Sequence, residues 1–131
     1  MGILALDHVN IRTARLGEMV HFYEDVVGLK QGDRPPFPFG GSWLYCGSRA
    51  VVHLIEVSDS TPWSGGSLEH FAFEAAGLTA FLKHLETIGA RYKVATVPGI
   101  GVGQVHLHDP DGNHIHIDFS PEEATASENA R

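Results

Sequence analysis

Two strand-like segments of this chain each occur twice, at nearly the same spacing. Leu6-Asp7-His8-Val9-Asn10-Ile11 reappears as Leu68-Glu69-His70-Phe71-Ala72-Phe73, shifted by 62 residues. Val52-His53-Leu54 reappears as Ile115-His116-Ile117, shifted by 63. The chain therefore reads as a duplicated module that twice places a pair of histidines in strands. Four imidazoles related by such a pseudo-symmetry can converge on one point between the halves, and a metal ion is the natural occupant of that point.

The bulk composition excludes several classes. A chain of 131 residues with 43% hydrophobic content has the size and core of one ordinary domain. A formal charge of −7 gives no basic stripe for nucleic acid. No apolar run is long enough to span a membrane, and the first residues lack the basic flank and long apolar stretch of a signal peptide. A cytoplasmic location is the expectation. The single Cys46 excludes an internal disulfide and a cysteine-based zinc site. Nine histidines are the compositional oddity.

Each half has the same order of elements. Residues 3–12 alternate as a strand, and residues 16–27 carry a helical stripe of Leu16, Met19, Val20, Tyr23 and Val27, with Gly28 as its cap. Strands near 29–33, 42–47 and 50–57 complete module one, residues 3–57, around a proline-rich loop at 35–41. Residues 58–67, rich in Gly and Ser, read as a linker. Module two, residues 68–120, repeats the order. It has a strand over 68–75, then a helix over 78–88 with the stripe Leu78, Phe81, Leu82 and Leu85 and the cap Gly89. Strands follow near 91–97, 103–108 and 113–119, the last two joined by Asp109-Pro110-Asp111-Gly112, a strong turn signal. The glycine-rich loop at 98–103 reads either as a lid or as an ordinary connector. Residues 121–131 read as a frayed or adaptable tail. The fold class expected is α+β: two tandem βαβββ modules forming a curved eight-stranded sheet around a cavity, all within one domain spanning 1–131.

Alternation along the strands sorts the polar groups. His8, Asn10 and Arg12 share a face, as do His70 and Glu74, then Gln104, His106 and His108, then His114, His116 and Asp118. A covered face does not normally hold so many ionisable groups, because leaving one buried and unpaired costs about 1–3 kcal/mol. A metal satisfies several imidazole lone pairs at once. The ligand set expected is His8, His53, His70 and His116. His106, Asp118 and Glu74 are candidate bases, and Arg12 is a candidate partner for an anionic group. His21 and His84 read as solvent-facing on helices, and His108 and His114 as rim residues beside the last hairpin.

Leu-Asp-His-Val-Asn-Ile, Phe22-Tyr23-Glu24-Asp25-Val26-Val27-Gly28-Leu29, Leu-Glu-His-Phe-Ala-Phe and Asp109-Pro110-Asp111-Gly112-Asn113 together resemble the vicinal oxygen chelate superfamily. That superfamily holds glyoxalase I, bleomycin resistance proteins, fosfomycin resistance enzymes, methylmalonyl-CoA epimerase and extradiol dioxygenases. The resemblance covers residues 3–120. It implies paired βαβββ modules and a divalent metal, with ligands from the first strand of each module (His8, His70) and the last (His53, His116). It also implies a frequent homodimer. The last-strand position of module two is usually Glu in metal-dependent members, and its module-one counterpart is Glu in glyoxalase I. Here both are imidazoles.

That departure bears on the reaction. Glyoxalase-type isomerisation uses a metal-bound Glu as its base, and an all-histidine shell lacks one. A two-histidine-one-carboxylate iron site is likewise incomplete unless Asp118 supplies the carboxylate. Iron, nickel, zinc and manganese are the divalent ions considered. The expected function is a metal-dependent enzyme acting on a small substrate with vicinal oxygens, with a lean to ring-cleaving, extradiol-dioxygenase-like chemistry. The alternatives are a glyoxalase-like lyase or isomerase, and a non-catalytic binding protein of the resistance type. Trp43, Tyr45, Phe37 and Phe39 are expected to wall an aromatic or apolar substrate.

Overall fold

Alternation of apolar residues dictates which face of each strand is covered. The computed structural model describes residues 2, 4–58 and 68–130, and the chain divides into two compact units, Met1–Gly65 and Gly66–Arg131. The division falls within the 58–67 linker expected from composition, of which residues 59–67 lie outside the described residues.

Module one runs β1 (Val9–Thr13), α1 (Leu16–His21), β2 (Lys30–Gly32), β3 (Gly41–Cys46) and β4 (Arg49–Glu56). Its sheet has the order β1-β4-β3-β2, with β1 parallel to β4 and the other pairs antiparallel. Leu44, Val52 and Leu54 on one sheet face are buried, as are Met19, Phe22 and Tyr23 of the helix. Burying each such side chain is worth about 1.5–3 kcal/mol. The helix expected over 16–27 changes type part-way: after His21 it continues as a π-helical segment, Phe22–Val27. It closes at Gly28, whose φ is 94°, and the Gly28 and Leu29 N–H groups both donate to the Tyr23 carbonyl, at 3.1 and 2.9 Å.

The first strand is shorter than its alternation suggests. Leu4 and Leu6 are exposed, and His8 immediately precedes β1. Where the ladder to β4 would continue backwards, the Arg49 guanidinium donates to the Leu6 carbonyl instead, at 3.4 Å.

Module two runs β5 (His70–Glu74), α2 (Leu78–Ile88), β6 (Lys93–Thr96), β7 (Gly103–His108), β8 (His114–Phe119) and α3 (Pro121–Ala130). Its sheet has the equivalent order β5-β8-β7-β6, with β5 parallel to β8. Val105, Leu107, Ile115, Ile117 and Phe119 are buried with Leu78 and Leu85 of α2. The α+β class, the βαβββ order and the eight strands agree with the expectation, four strands to each module. The 98–103 loop is a bonded connector between β6 and β7, with Gly101 N–H on the Val97 carbonyl and Val97 N–H on the Val102 carbonyl, both at 2.9 Å.

The frayed tail expected for 121–131 is corrected: residues 121–130 form α3. Ser120 caps it, accepting from the Glu123 N–H at 3.2 Å, and Pro121 occupies the first turn, where no donor is needed. Ala124 and Ser127 are buried. Glu123 also caps α2. Its carboxylate accepts from the Gly77 N–H at 3.0 Å and the Leu78 N–H at 2.9 Å, which the glycine before α2 has no side chain to satisfy. No helix among the described residues is long and apolar enough to cross a membrane.

Candidate metal centre

Strand register, more than the order of residues, assembles the site. In module two, β8 lies between β5 and β7. Its pairings set His70 beside His114, Ala72 beside His116 and Glu74 beside Asp118. On the other side they set His108 beside His114, His106 beside His116 and Gln104 beside Asp118. Paired residues on adjacent strands share a face. The histidines of the three strands therefore form one polar surface, with the apolar core on the reverse. The hairpin fixes this register. The Asp109 carboxylate accepts from the Asp111 and Asn113 N–H groups, at 3.0 and 2.9 Å, which closes the turn and sets His108 opposite His114.

A directional chain of hydrogen bonds crosses this face. With the Gln104 oxygen toward His106, His106 Nε2–H donates to it at 3.2 Å. His106 Nδ1 must then accept, and His114 Nε2–H donates to it at 2.9 Å. On its other side His114 Nδ1 lies 3.5 Å from Glu69 Oε2. Glu69 also contacts His70 Nδ1. Glu69, His70 and His114 each offer a ligand atom within 4.8 Å of the others.

His116 lies beside this cluster, with its ring centroid 4.7 Å from that of His70. It is buried, and its Nδ1–H donates to Asp118 Oδ1 at 2.5 Å, leaving Nε2 as the free acceptor. In module one, His8 Nδ1–H donates to Asp7 Oδ2 at 2.7 Å. The His8 ring stacks on His53 at 3.8 Å, and Trp43 covers the other face of His53 at 3.9 Å. His53 Nε2–H donates to the Ala50 carbonyl at 3.1 Å, so Nδ1 is its free nitrogen. A carboxylate on the second ring nitrogen is the arrangement that orients a metal-ligating histidine.

Residues 5–117 match the family model of the Glyoxalase/Bleomycin resistance protein/Dioxygenase superfamily. The chain belongs to this superfamily. A curated relative from Arabidopsis thaliana, named Glyoxylase I 4, is 30% identical over 123 residues, covering 88% of this chain and 70% of the relative. The fold is similar to that of a lactoylglutathione lyase from Agrobacterium tumefaciens, with a TM-score of 0.69 and 19% identity over 90% of this chain and 95% of the other. It is also similar to that of a genomically encoded fosfomycin resistance protein from Listeria monocytogenes, with a TM-score of 0.69 and 11% identity over 94% and 98%.

Within this glyoxalase-superfamily chain, the residues singled out in the sequence fall into two groups. His8, His53 and Arg12 belong to module one, where Arg12 pairs in register with Ile55. His70, His116, His106, Asp118 and Glu74 share the module-two face. Asp118 and His106 both lie against His116, whereas Glu74 is exposed beside Asp118.

Glu69 and His114 are the members of this candidate cluster that stand outside the ligand set expected from the sequence. His114, expected at the rim, is only 21% exposed in its side chain and is bonded on both sides. The signal for Glu69 was in the repeat itself, since an acidic residue precedes the first histidine in both copies. His108 is exposed and stacks on His114, and His21 is exposed and paired with Asp25 at 2.7 Å.

The electrostatics favour the neutral form of His106 and His53. Burial, then the nearby His116 and His114 charges, hold His106 below its ordinary value. Burial, then the His8 charge, lower His53, against a raising contribution from its bond to Ala50. The carboxyls of Asp7 and Glu69 are held down chiefly by their hydrogen bonds to His8 and His70. An ionised carboxylate is the form in which Asp or Glu holds a divalent ion.

Proposed function

We propose that the protein is a metal-dependent enzyme acting on a small substrate with two adjacent oxygens, with a lean to ring-cleaving dioxygenase chemistry. One observation carries this reading: Glu69, His70 and His114 gather two imidazoles and a carboxylate, the donor composition of non-haem iron oxygenases. The carboxylate missing at the His53 and His116 positions is thus offered by the residue preceding His70. The repeat supports His8, His53 and His116 as the further candidate ligands, two from module one and one beside His70.

When bound, the ion supplies Lewis acidity to both substrate oxygens and, if it is iron, a centre for oxygen chemistry. The protein's own groups handle orientation and protons. Where Glu69, His70 and His114 hold the ion, His116 is left as a base: Asp118 fixes its tautomer, Nε2 accepts a proton from a bound hydroxyl, and Asp118 stabilises the imidazolium formed. Phe37, stacked on Phe39 at 5.0 Å and 6.4 Å from Trp43, supports an aromatic wall in module one. A homodimer in the cytoplasm is the proposed working form.

A glyoxalase-like lyase or isomerase is the second reading, favoured by the 30% identity to the relative named Glyoxylase I 4. There the His116–Asp118 pair serves as the base that moves a proton between adjacent carbons.

The test is anaerobic loading of tag-free protein with iron, nickel, zinc or manganese, followed by elemental analysis. Catechols are then screened against 2-oxoaldehyde–thiol adducts. Submicromolar uptake with oxygen consumption on a catechol supports ring cleavage. Adduct turnover without oxygen moves the assignment to the lyase. Failure to take up any divalent ion overturns both and leaves the non-catalytic binder.

A further inference from the structure

Module two has an open groove of about 410 Å³ whose lining includes Arg91, Tyr92, Lys93, His106, His108 and His114, together with Ala95. Its charge runs against that of the chain, which is −7 overall. The two cations sit at one end. Lys93 pairs in register with His106, so the row across the sheet reads Lys93, His106, His116. Arg91 lies two residues earlier and also lines the groove. Among the described residues, neither Arg91 nor Lys93 makes an ion pair, although carboxylates are close by in sequence. Glu86 is taken by the Tyr92 hydroxyl, which donates to it at 2.5 Å. Glu69, which does not line the groove, is held by His70 and His114.

His114 belongs both to this groove and to the Glu69–His70–His114 cluster. A ligand lying in the groove therefore has one end at the candidate metal donors and the other at two uncommitted cations. A guanidinium matches a carboxylate or phosphate with two parallel N–H donors, and an ammonium adds a point charge.

We infer that this groove is an anion-binding subsite and that the substrate is a small organic acid, its adjacent oxygens at His70 and His114 and its carboxylate or phosphate at Arg91 and Lys93. The inference rests on the proposed function for the chelating end of the ligand. The anionic end stands on the groove alone.

The test separates the two. Chelator-treated, desalted protein is titrated with phenylacetate, phenyl phosphate and the neutral phenylacetamide, while the imidazole proton and nitrogen signals are followed by NMR. The anions are expected to shift a subset of the nine histidines and the amide to shift none. The stronger of the two anions identifies the natural headgroup. Arg91 and Lys93 are exposed, so Arg91→Gln and Lys93→Gln are expected to leave the circular dichroism unchanged. Each is expected to weaken anion binding several-fold, and the double variant about tenfold or more. Equal binding of the neutral amide, undiminished binding by the double variant, or no shift with either anion overturns the subsite. Anion binding by a protein that takes up no metal upholds the subsite while the enzyme reading fails. Metal uptake without anion binding does the reverse.

Discussion

The Nδ1 of His116 is bonded to the carboxylate of Asp118, 2.5 Å away and two residues along the same strand. Because alternate residues of β8 share a face, the pair is set by strand geometry with no loop involved. Asp118→Asn keeps an oxygen that accepts from Nδ1–H but removes the charge that stabilises an imidazolium. Metal affinity or kcat is expected to fall by about 10–100-fold, the usual effect of removing such an outer partner. The fold should be intact by circular dichroism. An unchanged kcat and metal affinity would assign Asp118 to structure alone.

Two overlapping donor sets are on the molecule, and single substitutions separate them. The repeat offers His8, His53, His70 and His116, whereas the local geometry offers Glu69, His70 and His114. His70→Ala is expected to abolish divalent-ion binding in either case. If the local set holds the ion, His114→Ala and Glu69→Gln weaken binding by at least about tenfold, and His8→Ala has a smaller effect. Competition titration with a chromophoric chelator reads the differences directly. Loss with His8→Ala and full retention with His114→Ala would return the site to the repeat-matched set.

The elements of the fold were legible because the two halves say the same thing. The α2 stripe with Leu78 and Leu85 at its centre and the Asp109–Gly112 turn each carry a local signal. The expected ligand set rests on the histidines that repeat. His114 has no histidine counterpart in module one, where Val51 stands, so the repeat is silent about it. Its place in the cluster depends on β5 lying beside β8, a pairing between segments about forty residues apart in sequence. The tail was misread because its polar composition outweighed a short capping signal. Ser120-Pro121-Glu122-Glu123 is a helix start, but the stabilising partners, Gly77 and Leu78, lie more than forty residues earlier.

Glu123 ties α3 to the start of α2, so its removal should be felt by both helices. No side chain of α2's own caps its N-terminus, and the carboxylate satisfies two backbone donors there. Glu123→Ala is expected to destabilise the protein by about 1–2 kcal/mol, the range for losing a cap, with a Tm lower by a few degrees. Glu123→Gln retains an acceptor and should lose less, about 0.3–1 kcal/mol, since it forfeits only the charge at the positive end of the helix. Thermal melts of the three proteins at one pH give the order. Equal Tm values for Glu123→Ala and the parent would mean that water replaces the cap at no cost.

Gly41 is held by close approach alone. A β-carbon there would stand 2.2 Å from the Leu54 carbonyl oxygen and 3.0 Å from Arg34 Nη2. The first contact is with backbone that a rotamer change cannot relieve, so β3 must move away from β4. Gly41→Ala is therefore expected to cost about 1–3 kcal/mol or more, visible as a lower denaturant midpoint with a similar slope. The shift should reach the histidines of module one, because Trp43, two residues along β3, stacks on His53. Gly47→Ala is the comparison. It lies in the β3–β4 turn with open space around it and a φ of 61°, so it meets backbone strain without a clash. A smaller loss at Gly47 than at Gly41, with the His53 ring signals disturbed only by Gly41→Ala, is the outcome the packing requires.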